Sequence, residues 1–148
     1  MTVTRKSGRQ AKTYRNIASW ASPSWSEMKI VKDVLRDSKW GDDDASTRES
    51  VFELSILTLL SCPINLQVAH VPANAHYIAL REAFENGTTV EMLVLDGDVT
   101  TAGSRGIRAD WHVVEFPEAQ PLKGEMIHEV VLKMAQTGNA PTWYAVTT

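Results

Sequence analysis

The sequence predicts a mainly β protein, an antiparallel β-sandwich or barrel with one flanking α-helix. Short apolar runs alternate with polar residues and are separated by clusters of Gly, Pro, Asp and Ser, which is the pattern of strands joined by turns. Residues 74–86 instead carry the apolar spacing of an amphipathic helix. Because strands precede and follow this one helix along the chain, we expect a sheet with the helix packed against one side.

The chain has 148 residues, and we expect a single domain over residues 14–148 behind a flexible basic N-terminal arm over residues 1–13. A chain of this length can bury about two-thirds of its unfolded surface. Residues 1–13 are polar and basic and show no hydrophobic period, so they are predicted to stay flexible. Residues 14–25 are expected to form an ordered but irregular lead-in.

The sequence of the first half of the domain predicts three strands and one long loop. Residues 28–40 predict a strand with a bulge, because its alternation breaks twice. Residues 40–50 predict an extended loop, since Gly, Asp and Ser favour turns. Residues 64–71 predict another strand after Pro63, which belongs at an edge, a bend or a bulge. Residues 51–60 alternate well, and the apolar residues expected to share one face are Phe52, Leu54, Ile56 and Leu60.

The helix over residues 74–86 has recognisable ends. Asn74 is a typical N-cap residue, and Gly87 is a typical helix stop because glycine readily adopts a positive φ. Tyr77, Leu80 and Phe84 lie on one stripe and are expected to pack on the sheet. Strands then follow at residues 88–95, 109–116 and 125–135, with a short terminal one at residues 141–146.

Charge divides the chain into two parts. Residues 1–36 hold eight Lys and Arg against two acids, a balance of +6, whereas residues 37–148 hold seven against sixteen, a balance of −9. Strong nucleic-acid binding by the body of the fold is therefore not expected, because phosphate contacts need clustered positive charge. The basic start could meet an acidic surface on a neighbouring copy.

The sequence predicts no catalytic, cofactor or metal site. Cys62 is the only cysteine, which rules out an intrachain disulfide and a cysteine zinc site within one chain. The four histidines show no His-x-x-x-His spacing, and the acids at residues 42–44 are contiguous rather than alternating as in a calcium loop. The sequence contains neither a nucleophile elbow, nor a dinucleotide fingerprint, nor a phosphate loop. With no apolar run of transmembrane length and no signal-peptide core, we expect no membrane partner.

Several short motifs follow one another in an order that resembles the tail tube (major tail) proteins of long-tailed bacteriophages. The resemblance covers about residues 14–146, and its departures at residues 49–52 and 61–63 leave the register of residues 51–71 open. The motifs are Tyr14-Arg15-Asn16, Pro23-Ser24-Trp25, Ile30-Val31-Lys32-Asp33-Val34, Asp44-Ala45-Ser46-Thr47-Arg48, Ala83-Phe84-Glu85-Asn86-Gly87-Thr88, Leu95-Asp96-Gly97, Gly103-Ser104-Arg105-Gly106, Ala109-Asp110-Trp111, Pro121-Leu122 and Ala140-Pro141-Thr142-Trp143.

The resemblance implies a non-enzymatic virion protein, made in the host cytoplasm, that forms stacked hexameric rings. The stacked rings would be the tube through which double-stranded DNA passes without specific binding, and other tail proteins would close the tube ends. The alternatives are another tail- or capsid-associated β protein, such as a tail terminator or decoration protein, and a small β-sandwich binding module.

Core packing explains neither the polar loop nor the basic arm, so both are candidate contacts between subunits or rings. Residues 39–49 are expected to reach a neighbouring subunit, with Trp40 as an anchor and Arg48 pairing with an acid there. The alternative is a disordered surface loop. The candidate interface residues are Lys39, Trp40, Asp42, Asp43, Asp44, Arg48, Arg5, Lys6 and Arg9.

Overall fold

Ten strands, all paired antiparallel, and one α-helix make up the computed structural model, which describes residues 5–147. The predicted fold class is confirmed. Residues 1–4 of the predicted arm lie outside the described residues. The elements are β1 (Lys12–Asn16), β2 (Trp25–Glu27), β3 (Val31–Arg36), β4 (Lys39–Asp44), β5 (Ser55–Ser61), β6 (Ile64–Ala69), α1 (Ala75–Asn86), β7 (Thr89–Leu95), β8 (Arg105–Glu115), β9 (Ile127–Met134) and β10 (Thr142–Ala145), with a 3-10 turn at Gly8–Gln10.

Eight of the strands form one curled sheet. Its order is β2-β1-β7-β8-β9-β6-β3, and β10 also pairs with β8. The outer strands β2 and β3 are joined by residues 28–30 alone, a link that spans at most about 14 Å. Backbone hydrogen bonds anchor both ends of this link, from Met28 N to Thr13 O at 2.8 Å and from Ala69 N to Ile30 O at 2.9 Å. The two ends of the sheet therefore approach each other, and the sheet closes most of the way into a barrel.

The helix α1 begins and ends where the sequence predicts. The Asn74 side chain accepts a hydrogen bond from His76 N at 2.9 Å, and Gly87 adopts a left-handed conformation with φ of 66°. Tyr77 and Leu80 are buried as expected, whereas Phe84 stays partly exposed and stacks on Phe116. Within residues 5–147 no helix is long and apolar enough to span a membrane.

The main hydrophobic core lies between α1 and the inner face of the sheet. Strands β6, β8 and β9 supply alternate residues to it, as the two-residue period of a strand requires. Trp111 is fully buried at its centre, and its Nε1 donates to Met92 O at 3.4 Å. A smaller cluster on the outer face contains Tyr14, Leu93 and Leu95.

Several boundaries differ from the sequence prediction, and β8, for example, begins at Arg105 rather than at residue 109. Lys12 and Thr13 already pair with β7, so the predicted arm ends before Lys12. The predicted strand over residues 28–40 divides into β3 and the start of β4, although the expected bulge is present between Val31 and Val34. The predicted loop over residues 40–50 is wrong for residues 40–44, because they form β4 and pair with β5. Pro63 lies between two strands, as expected.

Candidate assembly surface

The strands β4 and β5 form a hairpin that extends the β3–β6 pair of the main sheet. Arg36 lies opposite Ile64 and Lys39 lies opposite Ser61, so the register continues unchanged across the interruption. At the interruption Asp37 N donates to the Pro63 carbonyl at 3.1 Å, and the buried Cys62 thiol lies 3.4 Å from Ser38 Oγ. The proline removes a ladder donor, which explains why the regular pairing stops here. We call residues 39–61 the projecting hairpin.

The projecting hairpin carries large apolar side chains with little cover from its own chain. Every residue of β4 is exposed, and Trp40 retains 50% of its accessible surface. On β5, Leu59 is 81% exposed. Leu60 is the exception, since it is partly buried against the main core. An apolar surface of this kind marks an interaction site when it is contiguous.

The predicted strand over residues 51–60 with one apolar face is wrong in part, because β5 begins only at Ser55. Phe52, Leu54 and Ile56 are all exposed, with Phe52 at 72%. A bulge also interrupts the alternation, because Trp40 faces Leu60 while Asp42 faces Leu57, which leaves two residues of β5 opposite Gly41. Both faces of the hairpin therefore carry aliphatic side chains.

The end of the hairpin is fastened by local hydrogen bonds. Leu54 N donates to Ser46 Oγ at 2.9 Å, and Ala45 N donates to Leu54 O at 3.0 Å. Hydrogen bonds from the side chain and backbone of Ser46 hold the pKa of Asp44 below its ordinary value. Arg48 lies in this connection and is exposed, and within residues 5–147 it forms no ion pair.

The structure places the predicted interface residues in two groups. Lys39, Trp40 and the three acids at residues 42–44 lie on β4, and Arg48 follows in the connection. Among the basic residues of the arm, Arg9 borders a groove that is lined by residues 31–34 of β3. Lys6 Nζ is 3.1 Å from Asp96 Oδ1. Asp96 lines a pocket together with Arg36 near the root of the hairpin, and Arg5 is exposed.

The sequence analysis did not predict that the aliphatic residues of β5 are exposed. The sequence does show that this strand is apolar on both sides, which is typical of a strand covered on both faces. The residues concerned are Ile56, Leu57, Leu59 and Leu60. Trp143 was missed as well, and it is exposed beside the root of the hairpin and lies 5.6 Å from the Arg36 guanidinium. Trp143 therefore adds an exposed aromatic side chain near the root of the hairpin.

A buried ion pair fixes the lead-in segment on the outer face of the sheet. Arg108 Nε donates to Glu91 Oε2 at 3.0 Å, and the two side chains are 13% and 11% exposed. The Arg108 guanidinium also lies 3.9 Å from the Trp20 ring centroid. Asn16 Nδ2 donates to the other Glu91 oxygen at 2.8 Å. These contacts hold residues 17–24 against the outer face of the sheet, so we assign the cluster a structural role.

Among residues 5–147 no histidine nitrogen lies within 4.0 Å of a carboxylate oxygen. His70 Nδ1 and the fully buried His128 Nε2 are 2.9 Å apart, and His128 Nδ1 is 3.2 Å from the Pro117 carbonyl. Burial, and then the nearby Arg15 guanidinium, lower the pKa of His76. Among the described residues no three His, Cys, Asp or Glu side chains are grouped so that they could hold a metal ion.

The comparisons with known proteins bear on the fold. No family model matches this chain, and no curated protein matches it. The tail of an empty gene transfer agent particle, determined with C6 symmetry, is 16% identical with a TM-score of 0.72, over 95% of this chain and 100% of that chain. The SPP1 tail tube is 9% identical with a TM-score of 0.76, over 97% of this chain and 81% of that chain.

A third similar structure comes from the anti-feeding prophage baseplate, which was symmetrised sixfold. It is 9% identical to this chain with a TM-score of 0.61, and each chain is covered over 100% of its length. The chain therefore has the fold of phage tail tube and baseplate proteins along nearly its whole length. The resemblance predicted from the sequence is confirmed at the level of the fold.

Proposed function

We propose that this chain is the structural subunit of a phage tail tube, a non-enzymatic virion protein that assembles into stacked hexameric rings. The observation that carries the proposal is the projecting hairpin, with its exposed apolar side chains, on a subunit with the tail-tube fold. Synthesis in the host cytoplasm and association with other tail proteins at the tube ends belong to the same proposal.

The projecting hairpin is expected to gain stability when a partner covers it. A two-stranded hairpin alone in water is at best marginally stable. The six residues of β4 carry the hairpin about 20 Å beyond the main sheet, too far for the main core to cover its outer part. A second copy of the chain that covers Trp40 and Leu59 would supply the missing burial, worth about 1.5–3 kcal/mol for each large side chain.

Ring closure can use the open edges of the main sheet. Within residues 5–147, β2 and β10 each have a strand neighbour on one side only. Unpaired edges invite pairing with another chain. A head-to-tail contact between different edges is heterologous, and it closes into a ring when its rotation is correct. The sixfold count is supported by the likeness to the C6-symmetric tail.

Within this proposal the predicted residues take defined roles. Trp40 anchors the hairpin on a neighbouring subunit or ring, and Arg48 pairs with an acid there. Lys39 and the acids at residues 42–44 complete this contact. The basic residues Arg5, Lys6 and Arg9 meet an acidic surface on a neighbouring copy.

The tube would conduct double-stranded DNA without holding it. Residues 37–148 carry a balance of −9, and a wall of net negative charge repels phosphate, so DNA can slide. A resolved tube shows which charged residues line the lumen. A predominantly basic lumen would contradict this part of the proposal.

Negative-stain microscopy of the purified chain tests the proposal directly. Wild-type protein is expected to form rings or tubes, whereas deletion of residues 42–45 is expected to leave a folded subunit that does not polymerise. A second variant, Asp42→Asn/Asp43→Asn/Asp44→Asn, keeps the length of the strand and removes its charge, so it shows whether the length or the charge of β4 is needed for polymerisation. Tubes of wild-type length from the deletion variant would refute the role of the hairpin.

The likeness to a baseplate structure favours a second candidate from the same class, a protein that sits at a tube end. Such a protein would form single rings that do not stack, so microscopy distinguishes the two. A monodisperse monomer at all concentrations would favour a small β-sandwich binding module instead.

A further inference from the structure

A groove opens where the two ends of the main sheet approach each other without pairing. One wall is the turn at Gly8–Gln10 with the start of β1, and the other is the first part of β3. The groove has a volume of about 880 Å³. Its charged lining consists of four cations and two acids, which are Arg9, Lys12, Lys29, Lys32, Glu27 and Asp33. We call this site the basic groove.

Two cations of the basic groove are available to a partner. Lys12 already pairs with Asp98 at 2.9 Å, and Lys32 pairs with Glu125. Arg9 and Lys29 have no carboxylate within 4.0 Å in the part of the chain that the structure describes. The outer edge of β3 is also without a strand partner among residues 5–147. The groove thus offers positive charge beside an open strand edge.

The projecting hairpin carries the complementary charge. Asp42, Asp43 and Asp44 lie consecutively on β4, all exposed, and none has a Lys, Arg or His nitrogen within 4.0 Å among the described residues. The outer edge of β4 likewise has no strand partner there. An extended acidic strand is therefore presented to solvent without a counter-charge.

From these observations we infer that β4 of one copy binds in the basic groove of a second copy, with Asp43 facing Lys29 and Arg9. A chain cannot fill its own groove, because Asp43 follows Asp33 by ten residues along an extended ribbon, a separation of about 33 Å. The contact joins two different surfaces, so it repeats head to tail. The inference rests on the proposed function and names the receiving surface of its ring-to-ring contact.

Cysteine cross-linking between two different variants tests the inference. Asp43→Cys and Lys29→Cys are prepared separately, mixed, allowed to assemble and oxidised. A disulfide-linked dimer is expected in the mixture and not in either variant alone, since native Cys62 is buried. The matched control mixes Lys29→Cys with Glu85→Cys, an exposed position on α1, and is expected to give no dimer.

Charge reversal gives a second, independent readout. Asp42→Lys/Asp43→Lys is expected to lose sedimentable tubes while its circular dichroism spectrum stays that of the wild type. Adding Arg9→Glu/Lys29→Glu to the same chain is expected to restore tubes, because the charges are exchanged. Glu82→Lys/Glu85→Lys on α1 serves as the control of equal charge change and is expected to keep tubes.

The outcomes separate this inference from the proposed function. Tubes that form without a cross-link between residues 43 and 29, or tubes that persist after Asp42→Lys/Asp43→Lys, overturn the inference and leave the tube proposal standing. A wild-type chain that forms neither rings nor tubes overturns the tube proposal itself.

Discussion

Gly106 shows how one backbone position maintains the pairing of two central strands. A Cβ atom at Gly106 would lie 1.6 Å from the carbonyl oxygen of Val94 on the neighbouring strand β7. Because this oxygen belongs to the backbone, no rotation of a side chain can relieve the clash. Only glycine allows β7 and β8 to approach as they do here.

Gly106→Ala is therefore expected to destabilise the subunit by about 3 kcal/mol or more, because the β7–β8 ladder must shift. Gly138→Ala is the matched control, since an added Cβ there meets nothing within 4 Å, and its effect is expected to stay within about 0.5 kcal/mol. Urea unfolding of both variants measures the difference. Equal stabilities would contradict the close approach.

Asp98 gives a pH dependence whose sign can be stated. The backbone N–H of Thr100, then the Lys12 ammonium, then the Thr100 hydroxyl hold the pKa of Asp98 well below its ordinary value. Since the folded state favours the carboxylate, this group stabilises the fold above the unfolded pKa of about 3.9. The contribution is lost as the pH falls through the depressed folded pKa.

Asp98→Asn is accordingly expected to be less stable than the wild type at pH 7 and to lose less stability below about pH 4. The two curves of unfolding free energy against pH are expected to converge at low pH. Denaturant titrations at a series of pH values provide the measurement. Curves that run parallel from pH 7 to pH 2 would contradict the prediction.

At the scale of elements, the projecting hairpin and the main sheet are stabilised in different ways. Strands β6 and β9 bury fully covered residues such as Leu66 and Leu132 in the main core. Strands β4 and β5 pair with each other and leave most of their side chains exposed. Local stability follows buried apolar contact, so the hairpin belongs to the least stable part of the subunit.

Amide hydrogen exchange is expected to reveal this contrast. In dilute, unassembled subunits the amides of β4 and β5 are expected to exchange fast, while those of β6 and β9 stay protected in the same sample. In assembled tubes the hairpin amides are expected to become protected. Hairpin amides that exchange as slowly as those of β6 in the unassembled subunit would contradict this account.

Much of the element scale could be predicted from sequence. The ends of α1, the strand break at Pro63 and the bulge in β3 all follow from local backbone preferences, and each is present. The prediction of a loop over residues 40–50 was wrong in part. Gly41 and the three consecutive aspartates that follow it are typical of turns, which led to that prediction. Pairing with β5 overrides that preference, and this pairing involves residues far away along the chain.

At the scale of the whole molecule, the subunit is expected to gain stability from assembly. Binding that occurs only in the folded state raises the apparent stability with concentration. The melting temperature of the wild type is therefore expected to rise with protein concentration, whereas that of the variant lacking residues 42–45 is expected to stay constant. Differential scanning calorimetry over a range of concentrations measures both, and identical concentration dependence would contradict assembly through the hairpin.

The sequence by itself determined most of the strands outside the projecting hairpin, the single helix and its caps, and the uneven charge, because each depends on neighbouring residues or on composition. It also indicated that residues 39–49 are not explained by core packing. Only the tertiary structure decided that Phe52, Leu54 and Ile56 have no core to join, and that Arg9 and Lys29 lie in one groove. The physical reason is that periodicity shows which residues share a face, while burial depends on distant parts of the chain that cover it.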